Sequence, residues 1–299
     1  MDDLADRIQS LKKKHNAVIL AHNYCLPEVQ DVADFVGDSL GLSIKASKTD
    51  ADVIVFCGVT FMAESAKILS PKKKVLIPEP EAYCAMAAMC TPEQIEQLRK
   101  ENPGAEVVGY VNSTGACKAC MDVCCTSSNV LDIVNGTKSR KVLFVPDKNL
   151  GHYAAERCPD KDLLLWNGFC PVHQSITVGQ VRALKEKYPE AIVIAHPECR
   201  SEVLALADGI GSTEKMIRMS NESESDDIII LTEIGMKHRL EKECPGKRFH
   251  FPEDAVCTAM KMADLQSILS VLENMDHEVV LSDDILERAY APVKRMTGQ

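Results

Sequence analysis

Aromatic side chains are scarce in this chain, at 5% with a single tryptophan, so its core has to be filled by aliphatic residues. An apolar content of 45% carried mainly by Val, Ile, Leu and Ala suits an α/β interior. No apolar run is long enough to span a bilayer, and no basic-then-apolar leader opens the sequence, so a soluble, cytoplasmic protein is expected. Positive charge is in deficit: 34 Lys and Arg face 44 Asp and Glu, for a net charge of −10. That balance argues against a nucleic-acid or anionic-membrane partner, though a local site can still oppose the global field and take a small anion. No GxGxxG follows an apolar run and no GxxxxGK[ST] is present, which removes the dinucleotide-binding and P-loop readings. At 299 residues two or three domains are expected.

Cysteine is abundant, with thirteen in the chain. In a reducing compartment they are unlikely disulfide partners, and free thiols, a metal or an iron–sulfur cluster become the alternatives. The stretch LLLWNGFCPVHQ, residues 163–174, is the first to suggest a site. Its apolar run reads as a buried parallel strand, Asn167-Gly168 as the turn that ends it, and Cys170 falls at the carboxyl end, where open α/β sheets hold ligands.

The same order of events occurs three times. Apolar runs at 17–21, 51–57 and 74–78, then at 105–110, 141–145 and 163–166, then at 191–195, 227–231 and 248–251, alternate with helical patterns. Each set reads helix–strand–helix–strand–helix–strand–Cys. Cys84, Cys170 and Cys257 stand 86 and 87 residues apart, and Ser39, Ser127 and Thr213 stand 88 and 86 apart. The expected architecture is three homologous αβα domains with parallel sheets in a pseudo-threefold arrangement, the active site at the central interface. The expected boundaries are 1–88, 89–172 and 173–257, with the tail 258–299 packing back on the first unit.

The register nominates residues by type. Any single buried cysteine is ordinarily a small hydrophobe. Three in register at strand ends are candidate metal ligands, and three thiolates suit a four-iron cluster with one iron left open. Ser39, Ser127 and Thr213, in small-residue turns, can donate to anions. His22, Tyr24, Tyr110, Asn112, His173, His196 and Glu198 follow predicted strands and suit acid–base and substrate-binding work. Cys117, Cys120, Cys124 and Cys125 form a tighter cluster, in a region read as helical, without a second CxxC to complete a zinc site. They keep a second reading open: an iron–sulfur or thiol-based redox sensor without catalysis.

At these residues the chain resembles the quinolinate synthase family. The matching stretches run in order through AHNY (21–24), DVADFVGDSL (31–40), FMAE (61–64), YVNST (110–114), TSSN (126–129) and PDKNLGHY (146–153), then CPVHQ (170–174), HPEC (196–199), GST (211–213), TEIGM (232–236) and AVCTAMKM (255–262). The resemblance implies a 4Fe-4S cluster on Cys84, Cys170 and Cys257, its fourth iron open to substrate. It implies condensation of iminoaspartate with dihydroxyacetone phosphate to quinolinate, with loss of phosphate and water, in NAD biosynthesis. Hand-over of unstable iminoaspartate from the enzyme that makes it would follow. It further implies that Ser39, Ser127 and Thr213 bind anionic groups, and that His22, Tyr24, Tyr110, Asn112, His173, His196 and Glu198 line the site. Tyr24 and Glu198 would be the main proton-transfer pair, with His22, His196 and Tyr110 as further catalytic candidates. Ala85 stands where many relatives carry proline.

Overall fold

The computed structural model describes residues 2–298 and is α/β, with three four-stranded parallel sheets. The first unit runs α1 (Asp2–Lys14), β1 (Ala17–His22), α2 (Pro27–Val32), β2 (Phe35–Gly37), α3 (Ser39–Lys48), β3 (Val53–Cys57), α4 (Thr60–Leu69) and β4 (Lys74–Leu76). The second repeats that order through α5 (Pro92–Glu101), β5 (Glu106–Tyr110), α6 (Gly115–Lys118), β6 (Val123–Cys125), α7 (Val130–Asn135), β7 (Lys141–Val145), α8 (Lys148–Arg157) and β8 (Asp162–Leu165). The third inserts a short helix, α9 (Pro171–Ser175), before α10 (Val178–Lys187), β9 (Ile192–Ala195), α11 (Ser201–Leu204), β10 (Gly209–Ile210), α12 (Thr213–Glu222), β11 (Asp227–Leu231), α13 (Met236–Glu243) and β12 (Arg248–His250). The tail forms α14 (Leu265–Asn274) and α15 (Asp283–Met296).

All three sheets share one strand order: β2-β1-β3-β4, β6-β5-β7-β8 and β10-β9-β11-β12. The two central strands of each sheet are the apolar runs that the sequence shows most clearly. In β3, VIVFC, every residue is buried, as a strand covered on both faces requires.

The sequence reading found three strands per unit, and the structure has four. The missed strands, β2, β6 and β10, are two or three residues long and sit on sheet edges. So short a segment, paired on one side only, shows no period-2 pattern. The helices expected to run up to Gly37, Thr126 and Gly211 therefore end earlier, and the small-residue turns start helices instead of ending them. Ser39 and Thr213 are the first residues of α3 and α12, and Ser127 precedes α7. Only Cys117 and Lys118 of the tight cysteine cluster are helical, while Cys124 and Cys125 belong to β6. Residues 162–165 form an edge strand that is half exposed, with Leu164 41% exposed, instead of the buried strand expected. The helix expected over 175–188 breaks at Thr177, whose side chain and Gln180 form a capping box that starts α10.

The internal repeat extends to side chains that the sequence reading passed over. Asp34, Asp122 and Asp208 each accept from the backbone N–H of the unit's first strand, at Ile19, Val107 and Val193, at 2.8, 2.7 and 2.8 Å. Lys73, Lys161 and Lys247 each donate to two loop carbonyls of their own unit. Each device ties off polar backbone groups at a sheet margin. The tail has two roles. Leu265, Ile268, Leu269 and Leu272 of α14 join Ile8, Ile19, Val53 and Leu76 in one apolar cluster on the first sheet. α15 lies against α4 and also against α6 and β6, so it spans the first two units.

Candidate active site

Each strand hands its carboxyl end to a loop, and loops from all three sheets line one cavity of about 240 Å³. The first unit contributes His22, Tyr24, Ser39 and Cys84; the second contributes Tyr110, Asn112, Ser127 and Cys170. The third contributes His173, His196, Glu198, Thr213 and Cys257. The three candidate ligand cysteines and every residue expected to bind substrate or move protons are thus among the lining residues, while Cys117, Cys120, Cys124 and Cys125 are not.

A chain of close polar contacts adjoins this cavity. Tyr24 Oη meets Thr232 Oγ1 at 2.6 Å, and Thr232 Oγ1 meets His173 Nε2 at 2.9 Å. His173 Nδ1 lies 3.0 Å from Glu198 Oε2, and Tyr110 Oη donates to Glu198 Oε1. Burial would push the Glu198 carboxyl up, but His173 beside it and the bond from Tyr110 outweigh that, holding it at about 2. Glu198 is therefore an ionised base at neutral pH. Burial, followed by the charge of Glu198, pushes both tyrosines well above their ordinary value, so each keeps its proton.

His196 stacks on His173 with ring centres 4.6 Å apart, and its Nε2 is 3.2 Å from Ser127 Oγ. His196 Nδ1 accepts from the Glu198 backbone N–H at 3.4 Å, and His22 Nδ1 accepts from the Tyr24 N–H at 3.2 Å. In both rings this places the single proton of the neutral form on Nε2. Burial lowers each histidine from 6.5 to about 3, with His196 adding to the effect on His22 and Glu198 opposing it on His196. Because both folded values lie below the unfolded one, the native state binds fewer protons between pH 6.5 and 3. The stability these rings contribute is therefore present above pH 6.5 and falls as pH drops. Urea unfolding of the metal-free protein should lose about 2 kcal/mol per histidine between pH 7 and 5. In His22→Gln the pH dependence should shrink by about half; an unchanged slope would contradict a neutral buried His22.

The three nominated thiols differ from the other ten. Cys84, Cys170 and Cys257 are half-buried at the cavity wall, whereas the remaining cysteines are fully buried. Several of those are held by carbonyls, as Cys199 is by Leu231 O at 3.5 Å and Cys244 by Ile217 O at 3.6 Å. Burial pushes Cys84 up to about 12, and the neighbouring Cys257 thiol acts in the same direction. Burial and then Glu198 push Cys170 well above its ordinary value. Such thiols become thiolates only against a compensating cation, which is how a metal-binding cysteine is deprotonated. Among the described residues, the group whose ligand atoms all fall within 4.8 Å of one another is Cys170, His173 and Glu198. The three thiols are therefore spread wider than a single tetrahedral ion needs, with its metal–sulfur bonds of about 2.3 Å. A centre held by all three thiols would have to be larger than one ion. Cys117, Cys120, Cys124 and Cys125 are buried with their thiols pushed up by burial, the opposite of a reactive redox thiol.

Supporting residues were missed by the sequence reading. Glu233, fully buried, accepts from the Cys257 N–H at 3.1 Å and the Gly235 N–H at 2.7 Å, and Lys261 Nζ lies 3.0 Å away. It fixes the Cys257 loop. Thr232 joins Tyr24 to His173, and Asn23 Nδ2 donates to Thr213 Oγ1 at 2.7 Å. Thr232 and Glu233 are the first polar residues after an apolar strand, the same signal that picked out His22 and His196. Gly168, expected as a turn glycine, has no positive φ. A Cβ there would lie 2.3 Å from Pro146 O, so glycine is required by backbone approach just before Cys170. Gly168→Ala should destabilise by about 1–3 kcal/mol in thermal unfolding, and an unchanged Tm would contradict that contact.

No helix among the described residues is long and apolar enough to cross a membrane. Over residues 6–298 the chain matches the family described as "Quinolinate synthetase A protein". It is 46% identical over 300 residues to a quinolinate synthase of Aquifex aeolicus (strain VF5), covering 98% of this chain and 93% of that protein. It is 50% identical over 295 residues to "Quinolinate synthase 1" of Methanosarcina acetivorans, covering 98% and 97%. The similarity to a quinolinate synthase of Clostridium perfringens (strain SM101 / Type A) is 45% over 295 residues, covering 98% of both chains. With the family matched across nearly its whole length, this chain belongs to the quinolinate synthetase A family of enzymes.

Proposed function

We propose that the chain is a cytoplasmic quinolinate synthase that condenses iminoaspartate with dihydroxyacetone phosphate, releasing phosphate and water as the pyridine ring closes, for NAD biosynthesis. The observation that carries this reading is the meeting of three half-buried thiols, ionised Glu198 and two protonated tyrosines around one cavity. In this reading the chain divides at 1–88, 89–172 and 173–257, with 258–299 completing the first unit. Cys84, Cys170 and Cys257 would hold a 4Fe-4S cluster. When bound, it supplies an open iron that polarises a carbonyl or hydroxyl oxygen.

The protein's own groups do the rest. Ser39 and Thr213, at the first turns of α3 and α12, and Ser127 offer hydroxyls to carboxylate and phosphate groups. Asn112 Oδ1, buried without a partner, is free to accept from an amine or hydroxyl of the substrate. Tyr24 Oη, held by Thr232, donates a proton to a departing oxygen. Glu198 receives one, directly or through Tyr110 Oη, and the neutral His22 and His196 Nε2–H groups donate to developing negative charge. Enclosure in a small cavity keeps water from an imine substrate, consistent with hand-over of iminoaspartate from the enzyme that forms it.

The test is anaerobic purification followed by iron and sulfide analysis and assay with both substrates. About four irons per chain and quinolinate formed in step with phosphate release are expected. A colourless, iron-free protein after anaerobic reconstitution, or one that consumes neither substrate, would overturn the reading.

A further inference from the structure

A second cavity, of about 350 Å³, lies between α7 and α12 and shares Ser127 with the central one. Ser128, Asn129 and Ser212 are among its lining residues, and Lys215 and Arg218 of α12 bring two cations to it. These two residues are three apart on the helix and so share a face. Both are exposed, and among the described residues neither has an ion-pair partner. The lysine is not loosely placed. A Cβ built on Gly211 would come within 2.5 Å of Lys215 Cδ and 2.7 Å of its Cβ, so the bare glycine is what lets the stem lie against the backbone.

The anions around the cavity are mostly spoken for. Glu214 is clamped by the guanidinium of Arg239, which reaches both carboxylate oxygens. Ser128 Oγ donates to Asp38 Oδ2, which leaves that hydroxyl oxygen to receive a donor and holds Asp38 at the boundary with the central cavity. Asp132 is the one remaining lining carboxylate, against two cations. In a chain of net charge −10, two cations without an ion-pair partner at one cavity can gather small anions. Ser127 lines both cavities, and its hydroxyl lies 3.2 Å from His196 Nε2 in the central site.

We propose that this second cavity is an outer binding site for a phosphate group, held by Lys215 and Arg218 beside Ser127. The chemistry is that of a phosphate dianion or monoester, which an exposed pair of cations can take and release quickly. Identifying the group with dihydroxyacetone phosphate entering, or inorganic phosphate leaving, rests on the function proposed above.

The test uses the iron-loaded enzyme and the double variant Lys215→Ala/Arg218→Ala, whose changes touch none of the residues assigned to the chemistry. The expected result is a rise of about tenfold in KM for dihydroxyacetone phosphate, or an equal weakening of inhibition by inorganic phosphate, with kcat at saturation within about twofold. A KM effect alone assigns the site to substrate entry; an inhibition effect alone assigns it to phosphate release. Lys215→Arg/Arg218→Lys should restore the wild-type values, since charge and not shape is at issue. Titration of inorganic phosphate into metal-free protein, followed by 31P line broadening, gives a readout independent of turnover. If the wild type makes no quinolinate yet binds phosphate in a way the double variant does not, the outer site stands and the proposed reaction falls. If KM, phosphate inhibition and phosphate binding all stay within about twofold of wild type, there is no such site.

Discussion

Cys170→Ala is expected to yield a folded protein that no longer retains a full complement of iron and turns over on the order of a thousandfold more slowly. The thiol stands at the N-cap of α9 and is half-buried, so alanine there would remove the proposed ligand without emptying the core. Loss of a bound Lewis acid removes several kcal/mol of transition-state stabilisation, and each 1.36 kcal/mol is about tenfold in rate. Cys84→Ala and Cys257→Ala should behave alike, because all three cysteines line the cavity. Cys199→Ala is the control. Its thiol is fully buried and bonded to Leu231 O, so it should keep its iron and lose only stability, about 1–2 kcal/mol in urea unfolding. Full iron and full turnover in any of the three cavity variants would remove that cysteine from the ligand set.

Glu198→Gln is expected to lower kcat by roughly 10²- to 10⁴-fold at unchanged iron content, the range over which a positioned acid–base group acts. Glutamine preserves the side chain's shape while removing the charge that His173 Nδ1 and Tyr110 Oη both face. The carboxylate is ionised because those partners outweigh the penalty of burial, so its charge depends on them. KM for both substrates should move by only a few fold, since the hydroxyls of Ser39, Ser127 and Thr213 are untouched. A variant with near-normal kcat and a full cluster would show that Glu198 only shapes the cavity, and the base would have to be sought elsewhere among its lining groups.

The central strands were readable because burial leaves a nearly uninterrupted aliphatic run, and β9 and β11 end directly before the first polar residue. The step between Cys84, Cys170 and Cys257 made the repeat visible, and with it about half of the cavity's lining residues. Edge strands were not readable. Phe35–Gly37 and Gly209–Ile210 acquire strand geometry from a single neighbour, and nothing in two or three residues encodes that partnership. With the edge strands unread, α3, α7 and α12 behind them were missed too, which moved the Ser and Thr turns from the ends of helices to their beginnings. That shift matters chemically, because a helix start presents free N–H groups to an anion and a helix end presents carbonyls.

Sequence alone determined the repeat, the residue types at each strand end and the ranking of three cysteines above the other ten. Those features are local, carried by spacing and composition along the chain. Which groups touch was decided by the tertiary structure. Tyr110 with Glu198, Tyr24 with Thr232, and His196 with Ser127 are 88, 208 and 69 residues apart, and each pair joins different sheets. The ionisation of Glu198 and the neutrality of His22 and His196 follow from those contacts and from burial. Both are properties of the surroundings in space, so no stretch of sequence carries them.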